Sequence, residues 1–358
     1  MSCNPTLSVV ICVYNPGEFF PELILNLLSQ TYRDFETLII DDGSNRGQEY
    51  FKKARKLIKT YRTPEGKKSP VDFNFYRNNR NLGLFESRRV GARISRGSYI
   101  TFVDADDKFK DGFSLEKIMK EHEKAGFPHV LQFGMEYLFP KDFTPENIKT
   151  FTERNPILPL SRACSFKERG NQEPEEPTPS PLPSVTEECF VLKHIPYYVW
   201  GKIYSASILE ESLAALPFTR LTMLEDFLFN FFVLQYAKSL HIIEEEFYLY
   251  RIGSGVTSLK REFQEESFYR LMEASGVFTM IFEFLEREGQ DEGLLETPMD
   301  SHLKEKLKKA VWERLLRHLY SILEYTELAG EKKDFYKNLV TREWGEKNIK
   351  TAQNMFTN

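Results

Sequence analysis

Two aspartates separated by one residue follow a short apolar segment of the chain. Tyr99–Val103 (YITFV) leads into Asp104–Ala105–Asp106, and Asp107 comes next. Because alternate side chains of a strand lie on one face, Asp104 and Asp106 can converge on one divalent cation, or on a cation and a ribose hydroxyl. Proteins hold Mg²⁺ or Mn²⁺ with one or two carboxylates together with substrate phosphate oxygens. The triplet therefore suits a diphosphate ligand, although acidic turns after strands are also common and usually solvated.

A second acidic turn follows another predicted strand. Phe35–Ile40 ends in Asp41–Asp42–Gly43–Ser44, a pattern that is also typical of a turn and a helix cap. If both strands belong to one parallel sheet, their carboxyl ends face the same crevice. Like charges disfavour each other there unless a cation, hydrogen bonds or water compensate. The two acidic turns together therefore favour a ligand site.

A pair of arginines lies between these turns in the chain. The segment Asn81–Gly91 (NLGLFESRRVG) places Arg88 and Arg89 early in a predicted helix. If the Arg88 guanidinium points into the crevice, it supplies planar donors for a phosphate group or a base carbonyl. Arg88 is therefore a candidate for binding an anionic ligand.

Two further carboxylates interrupt a strongly apolar segment. Glu225 and Asp226 stand in LTMLEDFLFNFF, residues 221–232. Buried acids are rare unless they are paired or functional. Either they mark the N-terminus of a helix predicted over 227–238, or they take part in chemistry, and we favour the second interpretation.

Alternating strands and helices position these residues. Leu7–Val13 (LSVVICV) is a continuous β-branched segment of the kind that is buried on both faces of a parallel sheet. Further strands are predicted over 35–40, 71–76 and 99–103, with helices over 18–30, 47–60 and 84–95. This order predicts an α/β fold with a mostly parallel, doubly wound sheet flanked by helices, in which ligands bind at the carboxyl ends of the strands.

The composition is that of a folded, acidic protein. The chain has 358 residues, 41% of them hydrophobic and 14% aromatic, with a net charge of −5. This charge provides no global basic field, so we expect no nucleic-acid partner. The apolar stretch near the N-terminus is too short for a signal peptide or a transmembrane segment. We expect a cytoplasmic protein, with peripheral contact at the inner face of the membrane as an alternative.

The cysteines show no metal-binding motif. Cys3, Cys12, Cys164 and Cys189 form no C-x-x-C pair and have no neighbouring histidine at metal-ligand spacing. We therefore expect free thiols in a reducing compartment.

Two features divide the chain. A segment at about 168–186 (ERGNQEPEEPTPSPLPSVT) is acidic and rich in proline, so we expect an exposed insertion. Beyond 262 the pattern is helical throughout. One helix there carries an apolar stripe formed by Leu303, Leu307, Val311, Leu315, Leu319 and Ile322. The expected organisation is an α/β domain over 1–261, which contains the insertion, and a helical extension over 262–358.

Taken together, the motifs resemble those of a known family. VVICVYN, QTYRDFETLIIDDGS, NLGLFESRRVG, SRGSYITFVDADD and LTMLEDFLFNFF occur in the order and spacing of the family 2 glycosyltransferases, which have the GT-A fold. The match is close from about Leu7 to Phe109 and looser through Thr257. The resemblance implies metal-dependent, inverting transfer of a sugar from a nucleotide diphosphate donor, by family habit a uridine nucleotide. It also implies Mn²⁺ or Mg²⁺ as cofactor and a glycan or lipid-linked acceptor, as in polysaccharide biosynthesis.

The resemblance also implies roles for individual residues. Tyr14 matches the aromatic residue that stacks on the nucleotide base, and Asp42 matches the carboxylate that accepts from the ring N–H of the base. Arg88 matches an arginine near the base and the phosphates. Asp104 falls where the first carboxylate of the Asp-x-Asp motif addresses the ribose, and Asp106 falls where the second binds the metal ion.

A second set of matches concerns catalysis and the acceptor. Asp226 matches the catalytic base, and Glu225 beside it is a further pocket candidate. Trp200 and Lys202 resemble a Trp-x-Lys element of some bacterial members; they either line the pocket or form a buried tryptophan with a lysine that reaches solvent. Arg89 departs from the family, since many members have asparagine there, which leaves donor selectivity open.

Two other functions stay open on the sequence alone. Phosphohydrolases of the haloacid dehalogenase type also use a strand followed by Asp-x-Asp. That motif normally opens its domain and continues with Thr or Val, whereas Asp104–Asp106 follows three predicted strands. A non-catalytic module that binds sugar nucleotides or glycans is the other alternative. The presence of both Asp106 and Asp226 argues against it, because binding alone needs no base.

Overall fold

The structure is a computed structural model of the chain. It describes residues 4–161, 164–165, 183–214, 216–253, 262–288, 295 and 299–356. The strands of the described part are β1 Leu7–Val13, β2 Phe35–Asp41, β3 Asp72–Arg77, β4 Tyr99–Asp104, β5 Lys108–Phe109, β6 Val130–Leu138, β7 Lys202–Ser205 and β8 Leu240–Arg251. Its α-helices are α1 Phe19–Leu28, α2 Gln48–Thr60, α3 Leu84–Ile94, α4 Ser114–Lys124, α5 Pro145–Arg154, α6 Val185–Phe190, α7 Ala206–Ala214, α8 Glu225–Val233, α9 Glu265–Met272, α10 Ala274–Arg287, α11 Ser301–Glu327, α12 Lys333–Trp344 and α13 Glu346–Phe356.

The strands form one sheet in the order β3-β2-β1-β4-β7-β6-β8-β5. β1 to β4 are parallel, while β7 runs antiparallel to β4 and β6, and β5 runs antiparallel to β8. The predicted α/β fold with a mostly parallel sheet is therefore confirmed. In the register of this sheet, Val13 lies opposite Asp41 and Cys12 lies opposite Asp104. The two acidic turns consequently lie at the same edge of the sheet.

Apolar residues on alternate positions of the strands bury both faces of the sheet. On one face, Val9 and Ile11 pack with Phe20 of α1. On the other face, Val10 and Ile40 belong to the core that includes α3 and α8. Each such side chain contributes about 1.5–3 kcal/mol when it is fully buried, so the two faces together hold the strand ends in place.

Helix α3 packs closely on the sheet because position 91 is glycine. A Cβ atom built at Gly91 would lie 2.3 Å from Cγ1 of Val10, closer than real Cβ contacts allow. Arg88 precedes Gly91 by three residues and so lies on the same side of the helix. The glycine therefore lets α3 bring Arg88 against the carboxyl ends of the strands.

The C-terminal helices share a core with α8. Five positions of the predicted apolar stripe in α11 are buried: Leu307, Val311, Leu315, Leu319 and Ile322. The rings of Phe227 and Phe231 in α8 pack against Phe278 and Phe284 in α10, with centroids 6.1 and 5.9 Å apart. None of the helices in the described part of the chain is both long and apolar enough to span a bilayer.

Two predicted boundaries differ from the structure. Most of the predicted insertion at 168–186 lies outside the described residues, but its last two residues, Val185 and Thr186, are buried in α6. The Ser184 side chain caps this helix by accepting from the Glu187 N–H, which starts regular structure earlier than the composition suggests. The helix predicted over 227–238 begins at Glu225 and ends at Val233.

Candidate active site

The turn after β4 is fixed by the end of β8. The Asp104 N–H donates to the Tyr248 hydroxyl at 3.1 Å, and this hydroxyl donates to the Asp107 carboxylate at 2.8 Å. Asp107 also accepts from the Arg251 N–H at 2.7 Å, and Arg251 Nε donates to the Asp106 carbonyl at 2.8 Å. Asp107 is therefore a structural carboxylate that anchors the turn. The side chains of Asp104 and Asp106 take no part in these hydrogen bonds and are available to other partners.

The carboxylates of this turn carry more negative charge than the protein compensates. Burial raises the pKa of Asp104 to about 7, with the Arg88 charge opposing the shift and the Asp226 and Asp106 charges adding to it. Burial also raises the pKa of Asp107 well above its ordinary value, and the charges of Asp104 and Asp106 raise it further. A cation at this turn would relieve the repulsion.

Asp106 has the character expected of a metal ligand. Its side chain is partly exposed, and its carboxylate makes no hydrogen bond or ion pair with any residue that the structure describes. A hard divalent cation such as Mg²⁺ or Mn²⁺ prefers carboxylate oxygen ligands of this kind. The residues present therefore fit the predicted cofactor, and the binding of a metal ion by Asp106 stays a prediction.

A buried guanidinium joins the two groups of predicted acids. Arg88 is only 1% exposed, and its Nη1 donates to the Asp226 carboxylate. Nη2 lies 3.5 Å from Oδ1 of Asp104, and Nη1 lies 3.8 Å from Oε1 of Glu225. Burial alone would lower the pKa of Arg88, but the three carboxylates raise it above its ordinary value. The contacts of Arg88 in this structure are with carboxylates, and its predicted place near the base and phosphates of the donor stays a prediction.

The start of α8 holds the second group of acids. Glu225 and Asp226 occupy its first turn, so their charges interact favourably with the helix N-terminus. Neither residue caps the helix with its side chain; the N-cap is Leu224, whose φ of 57° lies in the left-handed region. A branched residue rarely adopts this conformation, and such strained residues cluster at functional sites. Glu225 and Asp226 thus do mark the N-terminus of a helix, as one of the two interpretations expected, and their part in chemistry stays a prediction.

Glu225 and Asp226 differ in their surroundings. Their side chains are 15% and 21% exposed, respectively. Burial raises the pKa of Glu225 to about 8, the Asp226 charge raises it further, and the Arg88 charge opposes the shift. Asp226 has the direct ion pair with Arg88, whereas Glu225 lies farther from the guanidinium. The structure thus brings the predicted base, Arg88 and Asp104 together in one cluster.

The end of β2 holds the predicted base-binding residues. Asp42 Oδ1 accepts from Asn78 Nδ2 and from the Leu82 N–H, both at 2.8 Å, and Oδ2 accepts from the Gly83 N–H at 2.9 Å. This carboxylate is therefore an anchor for the loop that precedes α3, and its contact with a nucleotide base stays a prediction. Tyr14, which follows β1, is 50% exposed and can offer a ring face to a ligand.

An open cavity adjoins this anchor. It has a volume of about 380 Å³ and is lined by Arg77, Asn78, Asn79, Arg80 and Leu82. Asn78 contributes both to this lining and to the hydrogen bond with Asp42, so the cavity and the end of β2 are continuous. The sequence pattern did not identify this loop as part of a site.

Trp200 and Lys202 are both buried beside the site. Lys202 is fully buried, and its ammonium donates to the Pro196 and Tyr198 carbonyls, both at 2.6 Å. Burial lowers its pKa to about 8. The predicted alternative of a lysine that reaches solvent is therefore wrong, because the two carbonyls satisfy the ammonium inside the protein. The other part of that alternative, a buried tryptophan, agrees with the structure, in which Trp200 is buried.

The Trp200 ring belongs to an aromatic stack. Its centroid lies 4.1 Å from that of Tyr198, 4.9 Å from that of Tyr248 and 5.1 Å from that of Tyr250, with interplanar angles of 11°, 8° and 23°. Tyr248 is the residue whose hydroxyl fixes the acidic turn. Sequence reasoning missed Tyr248 and Arg251, because nothing in the pattern of β8 indicates that its end returns to the end of β4.

The fold and this cluster define a class of protein. A parallel sheet that ends in an Asp-x-Asp turn, opposite a helix that begins with a carboxylate pair, agrees with the predicted GT-A fold. Comparison with known proteins agrees. Residues 8–174, just under half of the chain, match the model of the family described as glycosyl transferase family 2. This match agrees with the predicted resemblance to that family over the matched region.

Individual relatives show the extent of the similarity. An uncharacterized glycosyltransferase of Methanocaldococcus jannaschii, MJ1057, is 38% identical over 105 residues, which is 29% of this chain and 33% of the relative. Three curated relatives are matched over 33%, 36% and 61% of their own lengths. The chain therefore spans only part of these proteins, and the match shows the family without showing the substrates.

Solved structures show the same fold. Residues 1–349 of TarS from S. aureus, in complex with UDP-GlcNAc, align with a TM-score of 0.59 at 13% identity, over 98% of this chain and 91% of that chain. The mannosyltransferase PcManGT from Pyrobaculum calidifontis, in complex with GDP-Man and Mn²⁺, aligns with a TM-score of 0.53 at 12% identity, over 99% and 88%. At this identity the likeness concerns the fold, and it extends into the C-terminal helices.

Proposed function

We propose that the protein is an inverting glycosyltransferase that moves a sugar from a uridine diphosphate donor onto a hydroxyl of a glycan or lipid-linked acceptor. The observation that carries this proposal is the buried Arg88 side chain, which contacts Asp104 at the end of β4 and Asp226 at the start of α8. One guanidinium thereby fixes the distance between a donor-side carboxylate and a carboxylate that can serve as base. A module that only binds sugar nucleotides has no need of this second carboxylate.

The donor side of the site is the edge formed by β1, β2 and β4. Tyr14 would stack on the base, with the Asp42 anchor and its loop beside it, and Asp104 would accept from the ribose. When bound through Asp106, Mn²⁺ or Mg²⁺ would neutralise charge on the diphosphate. Of the two structural neighbours, TarS is in complex with a uridine donor and PcManGT with a guanosine donor, so the identity of the base is the first part of this proposal to test.

The reaction needs one proton acceptor. The acceptor hydroxyl oxygen forms a bond to the anomeric carbon, the bond from that carbon to the phosphate oxygen breaks, and the hydroxyl proton passes to the Asp226 carboxylate. The nucleotide diphosphate leaves with the bonding electron pair. Attack from the face opposite the leaving group inverts the anomeric configuration, and Arg88 holds Asp226 in position for it.

The acceptor side is formed by the aromatic stack. Tyr198 and Tyr250 are partly exposed at either side of the buried Trp200. Apolar faces of sugar rings pack on aromatic rings, so this stack suits a glycan acceptor or the sugar part of a lipid-linked one. Lys202 maintains the stack by binding the Tyr198 carbonyl.

Donor binding tests the proposal and its metal requirement. We expect UDP-GlcNAc or another uridine diphosphate sugar to raise the melting temperature in the presence of Mn²⁺, because a ligand that binds the folded state stabilises it. Asp106→Asn removes a charged ligand at nearly constant shape, so it should weaken metal-dependent donor binding by at least about tenfold. Asp142→Asn on an exposed loop is the matched control and should behave as wild type.

The outcomes separate the competing functions. Equal Mn²⁺ dependence of donor binding in wild type and Asp106→Asn would contradict the metal assignment. Phosphate release from phosphomonoesters, with no binding of nucleotide sugars, would favour a haloacid dehalogenase-type phosphohydrolase. Donor binding without transfer to any hydroxyl acceptor or to water would favour a binding module.

A further inference from the structure

Three side chains of the types that bind transition metals meet outside the candidate active site. They are Cys164, Glu188 in α6 and His194 in the loop between α6 and β7. One ligand atom from each, the Cys164 sulfur, a Glu188 carboxylate oxygen and a His194 ring nitrogen, lie within 4.8 Å of one another. The sequence predicted no metal role for the cysteines because His194 follows Cys164 by 30 positions; only the fold brings them together.

Backbone contacts hold each of the three residues in place. The His194 N–H donates to the Glu188 carbonyl at 2.9 Å, which folds the loop back on α6. The hydroxyl of Ser165, next to Cys164, accepts from the Ile242 N–H of β8 at 2.8 Å. The three side chains are therefore brought together by the fold itself and need no ion to meet.

The Glu188 carboxylate is short of compensating charge. It is 3% exposed, and within the described part of the chain its one side-chain partner is His194, whose Nδ1 lies 2.8 Å from Oε2. No lysine or arginine of that part forms an ion pair with it. A buried carboxylate without a cationic partner is costly, so a bound cation would stabilise this arrangement.

We propose that Cys164, Glu188 and His194 bind a structural Zn²⁺ ion, with water as the fourth ligand. Zinc accepts sulfur, nitrogen and oxygen ligands in tetrahedral geometry, and its bond lengths of about 2.0–2.3 Å place the ligand atoms about 3.3–3.6 Å apart. To reach these separations, His194 and Glu188, which lie 2.8 Å apart, must open slightly, and the Cys164 sulfur, which lies within 4.8 Å of both, must settle at about 3.5 Å from each. Mg²⁺ and Ca²⁺, which take oxygen ligands, do not suit a thiolate.

Binding changes the protonation of the cysteine. The Cys164 thiol loses its proton to solvent as the sulfur binds the ion, and His194 binds as neutral imidazole. Without metal, burial and the neighbouring Glu188 charge raise the pKa of this thiol. Zinc uptake should therefore release protons and weaken as the pH falls.

The site would secure a wall of the candidate active site. His194 lies just before Pro196 and Tyr198, whose carbonyls bind the buried Lys202 ammonium. An ion held by Cys164, α6 and this loop would therefore fix the segment that leads to the aromatic stack. The role is structural and separate from transfer, so it can be tested without any sugar nucleotide.

Cobalt titration of the full chain tests the proposal. The protein is dialysed against chelator under reducing conditions and titrated with Co²⁺, whose thiolate complexes show a near-ultraviolet charge-transfer band. We expect this band, its loss on addition of about one equivalent of Zn²⁺, and its absence in Cys164→Ser. His194→Gln should weaken Co²⁺ and Zn²⁺ binding by at least about tenfold, since changes even to outer-shell partners cost this much.

Matched variants keep the test decisive. Cys189→Ala removes a buried thiol of α6, and His302→Gln removes an exposed imidazole of α11; both should keep the band. The His194 side chain is 48% exposed, so its replacement leaves the core intact, and circular dichroism without metal checks each fold. No charge-transfer band in wild type, a band that persists in Cys164→Ser, or one that disappears in Cys189→Ala would each overturn the proposal. An ordinary histidine–glutamate hydrogen bond beside a thiol gives the first of these results.

Discussion

The ion pair between Arg88 and Asp226 makes one side chain responsible for two positions of the site. Arg88 also lies 3.5 Å from Asp104, so a movement of the guanidinium would displace the donor side and the base together. Replacing one partner of such a buried pair is costly because it leaves the other charge uncompensated. Effects of variants in this cluster on stability and on rate must therefore be measured side by side.

Asp226→Asn isolates the role of the base. The amide keeps the size and much of the hydrogen bonding of the carboxylate but does not accept a proton, so transfer should fall by roughly 10²–10⁴-fold with donor affinity nearly unchanged. Glu225→Gln, one position earlier in the same helix turn, is the matched control and should lose less activity. Melting temperature, donor affinity and transfer rate are measured for both, and near-normal turnover of Asp226→Asn would eliminate the base assignment.

Glu225 should give the stability a defined pH dependence. Its pKa rises from 4.5 to about 8 on folding, near Asp226, Arg88 and Asp104, so the folded state binds more protons than the unfolded state between these values. The stabilisation is complete below pH 4.5 and is lost as the pH rises through about 8. Urea unfolding across this interval should show a falling free energy of unfolding, and Glu225→Gln should flatten the slope. An unchanged slope in the variant would assign the effect to other groups.

The sequence identified the acids of the site but not their partners. Asp104, Asp106 and Asp226 stand out because carboxylates at a strand end or in an apolar segment are unusual, and the residue types alone carry that signal. Arg88 contacts Asp226 because α3 packs near α8, although the two residues are 138 positions apart in the sequence. No local sequence pattern indicates such a contact. The buried Lys202 was missed as a structural residue for the same reason, since its carbonyl partners are set by loop geometry.

At the scale of elements, the contact between α3 and β1 controls where Arg88 lies. This contact depends on Gly91, and its importance was not visible in the sequence, where a glycine inside a helix only lowers helix propensity. The first four strands and the first three helices were predicted to within two residues from their local patterns, whereas β5 to β8 and α4 to α7 were not predicted. The packing distance between α3 and β1 was not predicted, since it depends on Gly91 and Val10, which belong to separate elements.

A double substitution tests this contact. In Gly91→Ala the added methyl group overlaps Val10, and the variant should lose about 1–3 kcal/mol of unfolding free energy through overpacking. Adding Val10→Ala removes the overlapping group and should restore part of the loss, which denaturant unfolding can measure. Gly276→Ala in α10 is the control; nothing lies within 4 Å of its Cβ, so it should stabilise by about 0.5–1 kcal/mol. Equal effects at positions 91 and 276 would contradict the packing argument.

At the scale of the whole molecule, the helical extension continues the core of the transferase region. The sequence suggested a boundary near 261, where the pattern changes from α/β to helical. In the structure, Phe227 and Phe231 of α8, next to the predicted base, pack against Phe278 and Phe284 of α10. A change of periodicity marks a change of secondary structure, but it does not tell whether the two parts bury their apolar faces separately or together.

Truncation after residue 261 tests whether the two parts are separable. Removing 262–358 would expose the apolar side of α8, so we expect loss of cooperative unfolding and aggregation of the shortened protein. Deleting residues 170–182, which leaves the Ser184 cap of α6 in place, is the matched control, since the sequence predicts few buried contacts there, and it should leave the melting temperature nearly unchanged. A soluble 1–261 fragment with the melting temperature of the full chain would show that the extension is an independent unit.

Residues that contact each other at the site lie far apart in the sequence. The site can therefore form only late in the synthesis of the chain. Arg88 contacts Asp226, which lies 138 positions later in the sequence, and Asp107 contacts Arg251, which lies 144 positions later. Closing such long loops costs chain entropy before the stabilising contacts form. Domains generally acquire structure as the chain emerges from the ribosome. A nascent chain that ends before β8 carries the Asp-x-Asp turn without Tyr248 and Arg251 to fix it. Donor-binding capacity should therefore appear late in translation, and ribosome-stalled chains of increasing length would show it as an abrupt step once β8 and the helices that pack on α8 are exposed.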